Sequence, residues 1–563
     1  MMESPPVETN RRDWWGRDQK DGSLAERLLD GSVNSNPKPE EEGGDVDLET
    51  EQQDTGEFYG QNGFRFRELW TFFGAAWMIS IAYLDPGNLE TDLQAGAQFD
   101  YRLAWVLLWS SILGFLIQVL SLRLGIVSRR HLALMCREEY HPRLNFLLWV
   151  LAELMIVASD VPEIIGTAFA VQILSSNAIP LWGGVLLCAL STLVFLSLSY
   201  LGLSFLNAFI GFLVGVMSTC FLADCFLSPP DGVAVLGGTI VPSLPDGAIQ
   251  LAVGLLGAVA MPHNLFLQSA LVLSRKVNPD KKSMEYACLY MTIETGFSLF
   301  ISFIVNASVL LVAASSFAPL WCEPKEQVCQ GGAGDVCDGT SGDAKCFDVG
   351  LETASTLLFR TVGAKASTLW AIALLASGQS STITGTFAGQ FVIEGFLQLS
   401  MPLWLRNLVS RAVAIIPSLV VTLIAGPSGA NQLIIVSTVM LAMHLPLALV
   451  PLLKFTDSPL KMGNQRNSRL FSVISWSLAM IVVAANVTVV WDASITPLLN
   501  QKSPPIILLA MWGLGSAAYL TLLAHLILLP VRNAVPLPAC LAEDVQEGSG
   551  TGGQQISGME ASG

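Results

Sequence analysis

Residues 81–92 read Ile-Ala-Tyr-Leu-Asp-Pro-Gly-Asn-Leu-Glu-Thr-Asp, and the central Asp85-Pro86-Gly87-Asn88 falls inside an apolar stretch long enough to cross a bilayer. A helix cannot pass smoothly through Pro-Gly, because proline lacks an amide donor and glycine weakens helix. The stretch is therefore expected to break there. A second apolar stretch carries Met261-Pro262-His263-Asn264 at its centre, again x-Pro-x-Asn. Each stretch opens a group of five spans, so the two breaks correspond. Paired interrupted helices at matching positions of two halves mark an inverted-repeat transporter, with the substrate site at the bilayer midplane between them. Unwinding frees carbonyls, here those near Ala82 and Ala258, which a membrane tolerates only where they line a cavity or bind a ligand.

The spans belong to a chain whose solvent is mostly lipid. Hydrophobic residues make up 52% of its 563 residues and charged ones 13%, with a mean hydropathy of +0.53, against roughly 25% charged in a soluble globular chain. Spans are expected at about 69–94, 103–125, 144–175, 180–200 and 204–227, then 247–273, 287–314, 366–397, 407–426 and 432–454, and finally 469–491 and 506–530. Twelve spans place both termini on one side. The positive-inside rule agrees: Arg123, Arg129, Arg130, Arg137 and Arg143 follow span 2, Arg275, Lys276, Lys281 and Lys282 follow span 6, and Lys454, Lys461, Arg466 and Arg469 follow span 10. Both tails are thus expected in the cytosol.

The reading divides the chain into five parts. Residues 1–64 form a disordered acidic tail, in which sixteen Asp/Glu face six Lys/Arg over residues 1–60 and account for most of the net charge of −16. Residues 65–230 are the first five-helix repeat, 245–455 the second, 456–530 helices 11 and 12, and 531–563 a disordered cytosolic tail. No cleavable signal peptide is read at the start, so insertion is expected to rely on the first span. The second repeat includes an exoplasmic loop, 316–352, holding Cys322, Cys329, Cys337 and Cys346. Two disulfides fit that oxidising side, in any of three pairings, and a four-thiolate zinc site is the alternative. The glycosylation triplets at Asn306 and Asn486 lie inside spans and are read as membrane-buried asparagines.

Chemistry concentrates at the breaks. A carboxylate near the bilayer centre costs roughly 2.5 to 3.5 kcal/mol on insertion scales, so Asp85 is expected to face a counter-charge or a cation path. The donors on offer are that carboxylate, the Asn88 amide oxygen, the Met261 thioether and backbone carbonyls. Hard-cation sites for Ca²⁺ or Mg²⁺ use oxygen throughout, whereas a thioether favours softer transition ions. Met261 as plain helix packing is the competing reading. Span 3 carries Glu153, Asp160 and Glu163, at spacings of seven and three, on one helical face in an apolar context. Buried acids there imply protons exchanged near neutral pH with Arg411 of span 9 as counter-charge, or else a static salt bridge.

These residues resemble the Nramp (natural resistance-associated macrophage protein) family of divalent-metal transporters. The likeness rests on Asp85-Pro-Gly-Asn88, on Met261-Pro-His-Asn264 and on the run from Gly378 to Phe391, Gly-Gln-Ser-Ser-Thr-Ile-Thr-Gly-Thr-Phe-Ala-Gly-Gln-Phe. It spans about 65–530 and is most similar to eukaryotic, plant-like members. The resemblance implies an all-α polytopic membrane protein with twelve transmembrane helices, a LeuT-like 5+5 inverted repeat plus two additional helices. It implies proton-coupled symport of divalent transition metals toward the cytosol: Mn²⁺ and Fe²⁺, with Cd²⁺, Co²⁺ and Zn²⁺ as further candidates. Metal ligation is implied for Asp85, Asn88, Met261 and the carbonyls of Ala82 and Ala258, and a proton route for Glu153, Asp160, Glu163, His263 and Arg411. The chain departs from the family pattern at Gln268, where a second histidine is usual, at Ser159, and in helix 10. There Thr438 stands for an amide and His444 for a plant-like Gln, both as occluded-state contacts.

Other classes fit less well. An organic-substrate symporter on the same fold would place small or apolar residues at the breaks, an Nramp-related Mg²⁺ carrier would lose Met261, and a sensor would need a large soluble domain after residue 530. The five His are scattered and no Ser/His/Asp or phosphate-cradling motif is present, so an enzyme and a nucleic-acid partner are not expected. No resident cofactor is expected, only transported Mn²⁺, Fe²⁺ and H⁺. The transport unit is read as a monomer in the plasma membrane or a vacuolar or endosomal membrane.

Overall fold

The computed structural model describes residues 83–188, 190, 203–274, 277, 280–318, 335–338, 345–399, 403–492 and 506–532. Ala82, Cys322, Cys329, the tail 1–64 and all but the first two residues of the tail 531–563 lie outside the described residues.

The chain is built from helices: α1 (Pro86–Phe99), α2 (Ala104–Ser128), α3 (Leu132–Glu139), α4 (Pro142–Leu174), α5 (Leu203–Leu227) and α6 (Gly232–Ile240). There follow α7 (Ile249–Val259), α8 (His263–Leu271), α9 (Lys281–Ser316), α10 (Leu351–Thr361) and α11 (Ala364–Leu397). The series ends with α12 (Leu403–Ile424), α13 (Gly426–Asp457), α14 (Pro459–Met462), α15 (Arg469–Val490) and α16 (Ile506–Leu528). Residues 181–188 are also helical. Among the described residues seven helices or helix pairs are long and apolar enough to cross a membrane. The 34-residue α11 is long enough as well, but its polar run from Gly378 to Thr386 interrupts its apolar character. That run is buried among protein side chains rather than offered to lipid.

The second break is where proline predicts it, and at the first motif the described residues show a helix start. Residues 83–85 are a turn and bend, and helix begins at Pro86 itself. Pro86 thus opens α1, a first-turn position where the missing N–H is no loss and the fixed φ suits helix. In the second repeat, α7 ends at Ala260 with φ −93° and ψ 61°, and Pro262 caps α8.

The half-helices are surrounded by protein. Helix α1 packs on α9, α7, α4 and α13, while α4 and α11 form the most extensive helix pair. By contrast α15 and α16 are peripheral and mostly exposed, as expected of helices facing lipid. Asn306 and Asn486 are buried at 2% and 1% exposure, in agreement with the sequence. Their amides donate to Tyr83 O at 3.0 Å and Ala442 O at 2.8 Å.

Four helices occupy stretches that the sequence reads as loop: α3, α6, α10 and the short α14. Helix α6 turns back from α5 by 120°. The expected all-α chain also carries a hairpin in the Cys-rich loop, β1 (Asp335–Asp338) against β2 (Lys345–Asp348), antiparallel and in register with Cys337 opposite Cys346. Periodicity misses such elements because strands of four residues are too short to show a period.

Candidate functional site

The site begins with a helix cap. Asp85 is the N-cap of α1, extended at φ −89° and ψ 163°, and its Oδ1 accepts the Asn88 backbone N–H at 2.9 Å. The Asn88 Nδ2 also donates to Asp85 Oδ1, at 2.7 Å, and to Tyr83 O at 3.2 Å. Two acceptor-only partners fix the amide's orientation. Asn88 Oδ1 is consequently turned away from both, buried and without a hydrogen bond among the described residues. A buried amide oxygen left unpaired costs about 1–3 kcal/mol, so its retention calls for a ligand.

The freed carbonyls of the first break are mostly spoken for. Tyr83 O accepts two amides, from Asn88 and Asn306, and Leu84 O accepts Ser377 Oγ at 2.6 Å. At the second break Pro262 has no N–H to give the carbonyl four residues earlier, which is that of Ala258. Ala258 and Met261 are both buried, at 0% and 2% exposure. Thr438 closes the space between the breaks: a Cβ placed on Gly87 would lie 3.1 Å from its Cγ2, and one on Gly254 3.3 Å from its Oγ1. The same Gly87 Cβ would sit 3.0 Å from Asp85 Oδ2. Thr438 is therefore at the site, whereas His444 lines a separate cavity further along α13. His263 is buried, and its Nδ1 has no hydrogen-bond partner among the described residues.

The acids of α4 divide into two groups, correcting the single cluster that their spacing suggests. Arg411 of α12 reaches Glu163 Oε2 at 2.5 Å and Asp160 Oδ1 at 3.6 Å, all three buried, and Ser410 Oγ donates to Asp160 Oδ2 at 2.7 Å. Glu153 is only partly buried and pairs instead with Arg406, at 3.5 Å. Arg406 also donates to Thr386 O at 3.0 Å. Two carboxylates on one guanidinium leave one negative charge in excess when all are ionised, so the triad can hold one proton.

The Gly378–Phe391 run explains how these charges fit. Gly378, Gly385 and Gly389 share a face of α11. A Cβ on Gly385 would meet Asp160 Oδ1 at 3.4 Å and Glu163 Oε1 at 3.5 Å, one on Gly389 would overlap the Arg406 guanidinium, and one on Gly378 would overlap Thr167. The stripe clears room for charged side chains, as small residues do wherever membrane helices approach closely.

The sequence reading missed three residues. Arg406 was hidden because its partner lies 253 positions away. Glu90 and Asp92 carried a signal, two more acids in an apolar span. Glu90 Oε2 accepts Leu351 N at 2.9 Å, tying α1 to the start of α10. Asp92 is fully buried with neither oxygen hydrogen-bonded among the described residues. Gln268, in place of the usual second histidine, donates to Thr295 Oγ1 at 3.3 Å. Among the described residues no three of His, Cys, Asp or Glu converge as a metal site. The donor set at the breaks is of another kind, one carboxylate with an amide, a thioether and carbonyl oxygen.

Comparison with known proteins gives these motifs a context. The model of the natural resistance-associated macrophage protein-like family matches residues 76–492. The chain is 45% identical over 500 residues to Metal transporter Nramp1 of Populus trichocarpa, covering 87% of this chain and 88% of that one. It is 44% identical over 473 residues to Metal transporter Nramp3 of Oryza sativa subsp. japonica, covering 83% of each. Among solved structures, the Eremococcus coleocola manganese transporter in complex with an aromatic bis-isothiourea substituted compound superposes with a TM-score of 0.71. That match has 29% identity and covers 88% of this chain and 99% of that one. MHP1, a nucleobase-cation-symport-1 family transporter, matches at TM-score 0.50 and 13% identity over 84% and 95% of the two chains, a likeness of fold.

Proposed function

Since the chain belongs to the Nramp family, whose members are multi-pass membrane metal transporters and not enzymes, we propose that it carries divalent transition-metal ions toward the cytosol by proton-coupled symport. The observation that carries this reading is the buried Asp85 carboxylate beside an Asn88 amide oxygen that has no hydrogen-bond partner among the described residues, with Thr438 touching both this segment and the helix that leads to Met261. The metal is the cargo. It binds through Asp85, Asn88 Oδ1, Met261 and the carbonyls of Ala82 and Ala258, with Thr438 closing the pocket. Mn²⁺ and Fe²⁺ are the expected substrates, with Cd²⁺, Co²⁺ and Zn²⁺ as further ions that a mixed hard and soft shell accepts.

The proton is held by Asp160, Glu163 and Arg411. Their one excess negative charge is neutralised by H⁺, which leaves through Glu153 and Arg406, with His263 on the metal side. The architecture we assign is twelve spans, a 5+5 inverted repeat of 65–230 and 245–455 followed by helices 11 and 12 within 456–530. Both tails are cytosolic, the transport unit is a monomer, and the membrane is the plasma membrane or a vacuolar or endosomal one.

The test is Mn²⁺ uptake into proteoliposomes at graded outside pH, with Fe²⁺, Cd²⁺, Mg²⁺ and Ca²⁺ as competitors. Saturable uptake that is faster at acid pH and abolished by Asp85→Asn and by Asn88→Ala is expected. Normal saturable uptake by either variant would remove the site assignment.

A further inference from the structure

Beyond the breaks, one small cavity of about 20 Å³, room for a single water-sized ion, lies between α3, α4, α8, α11 and α13, at the end of the bundle that the positive-inside reading assigns to the cytosol. Its walls include Cys136, Met155, Phe266, Phe396, His444 and Leu447. Three of its walls run directly from the transport site. Met155 lies five residues before Asp160 on α4, Phe266 five after Met261, and His444 six after Thr438 on α13. The cavity thus shares three helices with the transport site, on its cytosolic side.

We propose that this cavity is a second, transient station for soft divalent ions, with His444 Nε2, the Cys136 thiol and the Met155 thioether as its donors. The His444 tautomer is fixed by its surroundings. Nδ1 lies 2.8 Å from Met440 O, and a carbonyl can only accept, so Nδ1 carries the hydrogen and Nε2 keeps its lone pair. A ring N–H held by a backbone carbonyl is how metal-binding imidazoles are oriented. Nε2 makes no hydrogen bond among the described residues. Cys136 is a buried free cysteine, and Met155 is buried at 2% exposure.

The rest of the lining is apolar, without carboxylate or hydroxyl, so the donors are one nitrogen and two sulfurs. Such a set prefers Cd²⁺ and comparably soft ions over Mn²⁺, which favours oxygen. On binding, the Cys136 thiol gives up its proton to water as the Cd–S bond forms, and the thiolate is the ligand. With so few donors the station is weak, which suits an ion on its way out. Cd²⁺ pauses there while Mn²⁺ passes through.

The proposal rests on the transport reading for its role but not for its test. Purified full-length protein carrying Asp85→Asn, which removes the central carboxylate, is titrated with CdCl₂ while the ultraviolet thiolate-to-cadmium charge-transfer band is followed. The band is expected to saturate, to lose its Cys136 contribution in the added Cys136→Ser variant, and to need about tenfold or more Cd²⁺ in the added His444→Gln variant. Mn²⁺ in excess should not displace it. His444→Gln keeps the test decisive if Cys136→Ser elutes as misfolded protein on size exclusion. A band indifferent to both substitutions, or one removed by Mn²⁺, overturns the station. Failure of the transport reading shows separately, as absent Mn²⁺ uptake by the unsubstituted chain.

Discussion

Gly166→Ala should cripple metal binding without touching any ligand. Gly166 lies on α4 one turn beyond Glu163, and its bare face receives the ring of Pro86 at the start of α1. A Cβ at position 166 would lie 2.5 Å from Pro86 Cγ and closer still to Pro86 Cβ, whereas ordinary contact begins at 3.4 Å. The proline must retreat by at least about 0.9 Å or the helices must part. Pro86 is bonded to Asp85, so the carboxylate and the Asn88 amide hydrogen-bonded to it shift together. Functional side chains need positioning to within about 0.5 Å, and the forced displacement is nearly twice that. Stability changes less, because alanine gains roughly 1 kcal/mol of helix propensity over glycine against an overpacking cost of about 1–3 kcal/mol. Initial rates of Mn²⁺ uptake across a concentration series, normalised to protein in the membrane, should show about a tenfold or greater loss, with only a small change in thermal unfolding. Gly215→Ala, where nothing lies within 4 Å, is the control and should behave as wild type. Wild-type KM and rate in Gly166→Ala would refute the claim that this close approach positions the site.

Further outcomes follow from the same geometry. Met261→Ala leaves an all-oxygen shell, so Mn²⁺ transport should largely persist while Cd²⁺ transport falls and millimolar Ca²⁺ or Mg²⁺ becomes inhibitory; unchanged competition curves would make the sulfur mere packing. Arg411→Leu strands two buried carboxylates and should cost about 3–5 kcal/mol in detergent unfolding, with part recovered by adding Glu163→Gln; an unchanged melting curve would mean the pair is not buried as described. Asp160→Asn should uncouple proton flux from metal flux, read with a pH dye inside the vesicles; retained coupling would place the proton elsewhere. Gly389→Ala should dislodge Arg406 and weaken its pairing with Glu153, slowing uptake while leaving the Mn²⁺ KM near wild type; a raised KM would instead put Arg406 in metal binding.

How much of this was legible follows from the range of each interaction. The two breaks could be read directly, because a proline's missing donor and fixed φ act within one turn and need no partner. The burial of Asn306 and Asn486 was equally legible, since an asparagine inside an apolar span has nowhere wet to go. So was the shared face of Asp160 and Glu163, because residues three apart on a helix are neighbours whatever surrounds them. Even Pro86 illustrates the limit of local reading: its sequence predicts an interruption, but only the folded chain places it in the first turn of α1.

What the chain could not reveal by itself is which distant group meets which. Arg411 and Arg406 stand five residues apart on one helix, yet one binds Glu163 and Asp160 while the other turns to Glu153. Helical spacing gives each a direction, but the partner depends on where α4 and α12 come to rest. The glycines of α11 look from sequence like weak helix formers, and only the packing shows the charged side chains that fill the space they leave. Glu90 reading the backbone of α10, and His444 lining a cavity apart from Thr438, are likewise decided by how the helices pack. Periodicity and backbone chemistry set the spans, the breaks and the donors on offer. The pairing of charges and the capping of Tyr83 O by Asn306 belong to the tertiary structure, because these are contacts of a few ångströms between groups hundreds of residues apart.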